Sequence, residues 1–144
     1  MTAYADTSFL FAVYLPEANT PAARDYLLGH RQALAFTGLQ RYELRNAFRL
    51  ALFRRLMDAA AVGAVLAQVE QHRETGELED TPLIWPDVLQ IADELGEKHT
   101  RTLGVRALDL LHVGAARALG AKVFLTFDLR QHALAKAAGL RVGP

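Results

Sequence analysis

Short apolar segments alternating with helical stretches constrain the possible fold of this chain more than any other feature. "TAYA" (residues 2–5), "ALAFT" (33–37), "TPLIW" (81–85) and "AKVFLTF" (121–127) read as strands, with "LRV" (140–142) as a short fifth. Helical patterns lie between them. The first runs over residues 9–15, with Thr7 or Ser8 able to cap it and Pro16 helping to end it. The next covers residues 21–29, with Pro21 in its first turn and Gly29 behind it. Residues 38–57 are strongly helical, and residues 58–75 follow with Asp58 as their cap. Pro86 opens a helix to about Lys98, residues 105–119 end at Gly120, and residues 129–138 stop at Gly139. Parallel strands need helical crossovers, so this alternation predicts a mainly parallel sheet of four to five strands covered on both faces. In such α/β sheets ligands bind beyond the carboxyl ends of the strands, where the strand order reverses. Asp6 and Asp128 both stand at that end.

With 144 residues, 51% of them hydrophobic, the chain can build one compact domain over residues 1–144. The absence of cysteine excludes a disulfide framework, a thiol nucleophile and a thiolate metal site. No apolar run reaches the roughly 18 residues of a membrane span, and no basic segment precedes the first apolar stretch. A soluble, cytoplasmic protein without membrane contact is therefore expected.

A net charge of zero hides a partition. Residues 40–57 carry five Arg against one Glu, residues 70–97 nine acids against one Arg, and residues 98–144 eight basic side chains against two acids. Thirteen of the sixteen basic residues are Arg, whose planar fork suits phosphate, although ion pairing accounts for such enrichment equally well. Within residues 38–57, Arg41, Arg45 and Arg49 recur every four residues beside an apolar stripe of Leu44, Ala47, Phe48, Ala51 and Leu52. That stripe of arginines is a candidate contact for an RNA backbone or a protein partner, or simply a solvated face.

Four acids stand out among sixteen. Asp6 and Asp128 end apolar strands, while Glu43 and Asp109 are isolated within apolar or basic helices. Singly, each has an ordinary explanation: helix caps for Asp6 and Asp128, an ion pair or a favourable helix dipole for Glu43, and a buried hydrogen-bonded acid for Asp109. As a set they suggest more. Carboxylates brought to one sheet edge raise each other's pKa unless a divalent cation holds them ionised. Oxygen donors without Cys or paired His select hard ions, Mg²⁺ or Mn²⁺, which activate water and neutralise charge on a phosphodiester in flight.

"YADTSFL", "YELRNAF" (42–48), "ALDLLHVGAARALGAKVFLTFD" (107–128) and "LRQHALAKAAGLRV" (129–142) resemble the PIN-domain ribonucleases, especially the VapC-type toxins of toxin–antitoxin pairs. The resemblance runs from end to end, with residues 58–100 the least distinctive. It implies a three-layer α/β/α fold and a Mg²⁺- or Mn²⁺-dependent endoribonuclease. It also implies that Asp6, Glu43 and Asp109 form the metal-binding core and that Asp128 completes it. Ser8 and Thr126 would orient carboxylates or water, and Asn46 would face the same cleft; a cap, an ordinary strand residue and a solvated helix position are the respective alternatives. For a toxin, the resemblance further implies a small antitoxin whose tail occupies the cleft, and a homodimer.

His112, three residues after Asp109, is read as a packing or supporting residue, since no second His completes a zinc pattern. "GARALGA"-type glycine content lacks both dinucleotide and P-loop spacing. Two rivals remain. A phosphatase using Asp6 as nucleophile wants a second Asp two residues on, where Ser8 stands, and a receiver-like domain wants paired acids that residues 1–5 lack. A non-catalytic module binding RNA or protein in the same cleft need not keep all four acids.

Overall fold

The computed structural model describes residues 2–144. Five strands form one sheet, all neighbours parallel, in the order β3-β2-β1-β4-β5. They are β1 (Ala3–Ala5), β2 (Leu34–Phe36), β3 (Leu78–Asp80), β4 (Val123–Leu125) and β5 (Arg141–Gly143). The helices are α1 (Thr7–Tyr14), α2 (Thr20–Gly29), α3 (Gly38–Phe53), α4 (Ala59–Glu74), α5 (Trp85–Leu103), α6 (Ala107–Ala118) and α7 (Leu129–Ala137).

Every residue of β1, β2 and β4 is buried, as expected of central strands covered on both faces. Their period of two divides the core. Ala3, Ala5, Leu34, Phe36, Val123 and Leu125 pack with Phe9, Leu10, Phe48, Val62 and Val69 of α1, α3 and α4. Tyr4 and Phe124, on the opposite face, pack with Val88, Val113 and Leu134 of α5, α6 and α7. The three-layer α/β/α architecture follows from this alternation. Each fully buried side chain of this size contributes roughly 1.5–3 kcal/mol.

One strand and several helix ends differ from expectation. The third strand is Leu78–Asp80, not residues 81–85, which form a loop and the start of α5. Pro82 has no N–H for a ladder, and the last bond to β2 is Thr81 N–H to the Phe36 carbonyl, 3.0 Å. This edge strand buries only Leu78 and exposes Glu79 and Asp80, so its sequence lacks an apolar run. α5 continues past Lys98 to Leu103, where Gly104 at φ +64° ends it in the left-handed region. α3 stops at Phe53 rather than residue 57, Arg55 taking φ +58°. Of the candidate caps of α1, Asp6 takes the place and Thr7 and Ser8 do not. Asp58 caps α4 as its position suggested.

The small residues of α6 serve close packing. A Cβ on Gly114 would lie 3.1 Å from the Val88 carbonyl and 3.2 Å from the Ala92 Cβ, so an alanine there would push α5 back by a few tenths of an ångström. Among the described residues, no helix is long and apolar enough to cross a membrane.

The strand order places β1 between β2 and β4, so the chain leaves β1 towards one edge and returns to build the other. That reversal lies between the carboxyl ends of β1 and β4. Asp6 follows the first and Asp128 the second, each capping the helix that leads away.

Candidate active site

Asp6 is 3% exposed and fully hydrogen-bonded. One oxygen accepts from the Ser8 hydroxyl (2.7 Å) and the Phe9 N–H (3.0 Å), the other from the Thr126 hydroxyl (2.5 Å). Burial pushes its carboxyl above the ordinary range, outweighing the opposing effects of Ser8, Thr126, Phe9 and His112. The same hydroxyls tie α1 to the end of β4. Ser8 Oγ accepts from Phe127 N–H (3.0 Å) and Thr126 Oγ1 from Asp128 N–H (2.9 Å). Asp128 is half-buried and caps α7, one of its oxygens accepting from Arg130 and Gln131 N–H groups at 2.8 and 3.0 Å.

Glu43 joins from the second turn of α3, a helix started by Thr37 and Gln40 in a reciprocal capping box. Its Oε1 accepts from the Thr7 hydroxyl and from His112 Nε2, the latter at 2.6 Å. Burial acts to raise its carboxyl, but His112 and Thr7 hold it below the ordinary value. Thr7 adjoins Asp6, so the first turn of α1 links the two acids. Tyr4, on β1 two residues before Asp6, has its hydroxyl pushed far up by burial, with the charges of Asp6 and Glu43 adding to this. Both carboxylates therefore act on one tyrosine.

Asp109 lies in the first turn of α6, accepting from Arg106 N–H at 2.8 Å. The neighbouring leucines suggested burial, yet this turn is open: Leu108 is 48% exposed and Asp109 partly so. Burial begins at His112, one turn later. The chain thus connects all four acids through short contacts or a single helical turn: Asp109 to His112, His112 to Glu43, Glu43 to Thr7, and Asp6 through Thr126 to Asp128.

Among the described residues, no three His, Asp or Glu side chains form a cluster able to hold a metal by themselves. The donors nevertheless suit a hard cation. Glu43, Asp109 and Asp128 each have one oxygen that accepts no hydrogen bond from another described residue. Mg²⁺ ordinarily keeps several waters and uses one or two carboxylates plus substrate phosphates rather than a complete protein cage. The residues fit that mode of binding.

The remaining candidates are more dispersed. Asn46 is exposed on α3, one turn beyond Glu43. Arg41 pairs with Glu70 of α4 at 3.3 Å, Arg45 lines the same α3–α4 cleft beside Leu66 and Glu70, and Arg49 is exposed. A groove of about 410 Å³ is lined by Thr7, Ser8, Leu50, Arg54, Phe127 and Asp128, the last being the one candidate acid in its wall. A larger cavity of about 590 Å³, walled by Leu10, Leu27, Leu34 and Leu78, lies where β2 and β3 begin and has none of the four acids. Size is therefore a poor guide to the chemistry in this molecule. Thr7 and Tyr4 were not foreseen as site residues. The only available signals were a hydroxyl directly after Asp6 and a lone polar tip in the otherwise apolar "AYA".

A family model described as "PIN domain" matches residues 3–137. The fold is also shared with solved structures. VapC20 of Mycobacterium tuberculosis, a Sarcin-Ricin loop cleaving toxin, is 19% identical with TM-score 0.70, covering 99% of each chain. FitAcB of Neisseria gonorrhoeae is 17% identical with TM-score 0.69, covering 99% of this chain and 96% of its own. VapBC-1 of nontypeable Haemophilus influenzae is 14% identical with TM-score 0.64, over 99% and 96% respectively. No curated protein matches the sequence.

Proposed function

The chain belongs to the PIN-domain family, and from that premise we propose that it is a metal-dependent endoribonuclease, the toxin of a toxin–antitoxin pair. The observation that carries this reading is the hydrogen-bonded crevice between β1 and β4, where Asp6 is buried among hydroxyls without a basic side chain to pair with it. Asp6, Glu43, Asp109 and Asp128 would hold Mg²⁺ or Mn²⁺. Such a cation supplies charge neutralisation on the phosphodiester and lowers the pKa of water. Ser8 and Thr126 orient Asp6 and tie it to the Asp128 segment. Arg54 in the groove, with Arg45 and Arg49 on α3, offers forks for RNA phosphates, while Arg41 is occupied by Glu70.

A structural relative that cleaves the Sarcin-Ricin loop supports an RNA substrate, and relatives solved as VapBC complexes support an antitoxin partner. On this reading residues 1–144 form one PIN-like domain that dimerises and acts in the cytoplasm. A second reading, a non-catalytic RNA- or protein-binding module, is favoured by the lack of a three-ligand metal cluster among the described residues.

Incubating the protein with total RNA separates the two. Cleavage with Mg²⁺ or Mn²⁺, abolished by EDTA and reduced roughly 100- to 1000-fold in folded Asp6→Asn and Asp109→Asn variants, is the expected result. Asn retains a capping oxygen at both sites, so the loss reports charge rather than fold. Activity equal to wild type in both variants overturns the carboxylate site, and RNA binding without cleavage favours the module.

A further inference from the structure

We propose that His112 is a positioning residue for Glu43: held by Tyr4 on one side, it fixes one oxygen of the Glu43 carboxylate and leaves the other free for the cation. This rests on the nuclease reading and deepens it. His112 is 2% exposed, and both ring nitrogens are engaged. Nδ1 lies 2.9 Å from the Tyr4 hydroxyl and Nε2 lies 2.6 Å from Glu43 Oε1. An ionised carboxylate can only accept, so Nε2 carries a proton towards Glu43. The ring is itself fixed by the core. It meets Tyr4 edge-on at 5.9 Å between centroids, and Tyr4 stacks on Phe124 at 5.6 Å. Orientation thus passes from Phe124 of β4 through Tyr4 of β1 and His112 of α6 to Glu43 of α3.

A second Tyr–His–Glu series in the same chain shows what is particular to the first. Tyr14 OH lies 2.6 Å from His72 Nδ1, and His72 Nε2 lies 3.3 Å from Glu77. There the Glu side chain is 65% exposed and none of the four acids is near, whereas the Glu43 side chain is 22% exposed and tied to Asp6 through Thr7. Packing alone also leaves the first series unexplained, since an apolar side chain would fill the site of His112 without needing two polar partners.

The test compares H112L, H112Q and Y4F with wild type, and with H72L as a control, by titration calorimetry of Mn²⁺ and by RNA cleavage kinetics. Removing a group that orients a metal ligand typically costs 10- to 100-fold, so H112L is expected to weaken Mn²⁺ binding by about that factor and to lower kcat more than it raises KM. H112Q, which keeps an N–H donor, restores most of both. Y4F gives a smaller loss of the same kind, and H72L changes neither quantity. A folded H112L with wild-type Mn²⁺ affinity and kcat, or an H112Q as impaired as H112L, overturns the proposal. Should H112L fail to fold, Y4F decides: reduced Mn²⁺ affinity supports the role, unchanged affinity and kcat overturn it. A wild-type protein that binds no Mn²⁺ and leaves RNA intact sinks the nuclease reading, and this role with it, by a result distinct from an indifferent His112.

Discussion

Two clusters of acids in this molecule resolve the same electrostatic problem differently. Where α4 meets α3 and β3, Glu70 and Asp80 meet Arg41 and Arg73, with Arg73 bound to both oxygens of Asp80 at 2.8 and 2.6 Å. At the β1–β4 crevice, Asp6 and Glu43 meet three hydroxyls, a backbone N–H and an imidazole, and no arginine. The first cluster is screened by solvent and already neutral, so it holds the surface together modestly and asks for nothing more. The second is more deeply buried and is held by hydroxyls, an N–H and an imidazole in place of arginine; on the nuclease reading proposed above, it is where a cation would sit. The position of the arginines distinguishes a structural network from a candidate catalytic one here.

After the loss expected of Asp6→Asn and Asp109→Asn, the next largest effect breaks the second cluster while leaving the first untouched. Thr126→Val removes the donor to Asp6 and the acceptor for Asp128 N–H at nearly constant volume. Cleavage of RNA should fall about 10- to 100-fold, and denaturant melts should show a loss of roughly 1–3 kcal/mol for the unpaired buried groups.

A smaller effect sharpens the contrast through pH. The raised Asp6 carboxyl means that the folded state binds this proton more tightly than the unfolded chain does, so Asp6 subtracts stability as pH rises from the ordinary carboxylate range through its raised folded value. Glu43 has the opposite sign: its lowered value adds stability above the ordinary range, lost as pH falls through the folded value. In EDTA, Asp6→Asn should therefore melt a few degrees above wild type near neutrality and lose that advantage in acid, whereas Glu43→Gln should melt lower near neutrality. Thermal melts across pH check both signs, and identical profiles for the two variants would contradict the assignment.

The smallest effect lies in the solvated cluster. Arg73→Ala should cost below about 1 kcal/mol, shrink with added salt, and leave RNA cleavage unchanged. A large activity loss there would erase the distinction between the two clusters.

Much of this architecture was readable from residue pattern alone. The strands β1, β2 and β4 are wholly apolar apart from Tyr4, and the helices between them carry clear punctuation, so the α/β class and the parallel sheet were legible. β3 was misplaced because an edge strand needs only Leu78 in the core and spends Glu79 and Asp80 on solvent. Asp6 and Asp128 were legible as site candidates because strand ends are read directly from sequence. The exposure of Asp109 was not, since the leucines around it point partly outwards. Nor was the pairing of Arg41 with Glu70, which depends on how α3 lies against α4.

The sequence by itself determined which carboxylates reach the carboxyl ends of strands or the first turns of helices, because both follow from local periodicity and capping. Only the tertiary structure decided which groups meet them. Thr7 beside Glu43, Thr126 beside Asp6, and Tyr4 behind His112 are contacts between elements up to 120 residues apart, set by strand order and layer packing rather than by any local propensity. Asp6 is the clearest case: its place after β1 is a matter of sequence, but its burial among hydroxyls, which raises its carboxyl, exists only once β4 has paired alongside.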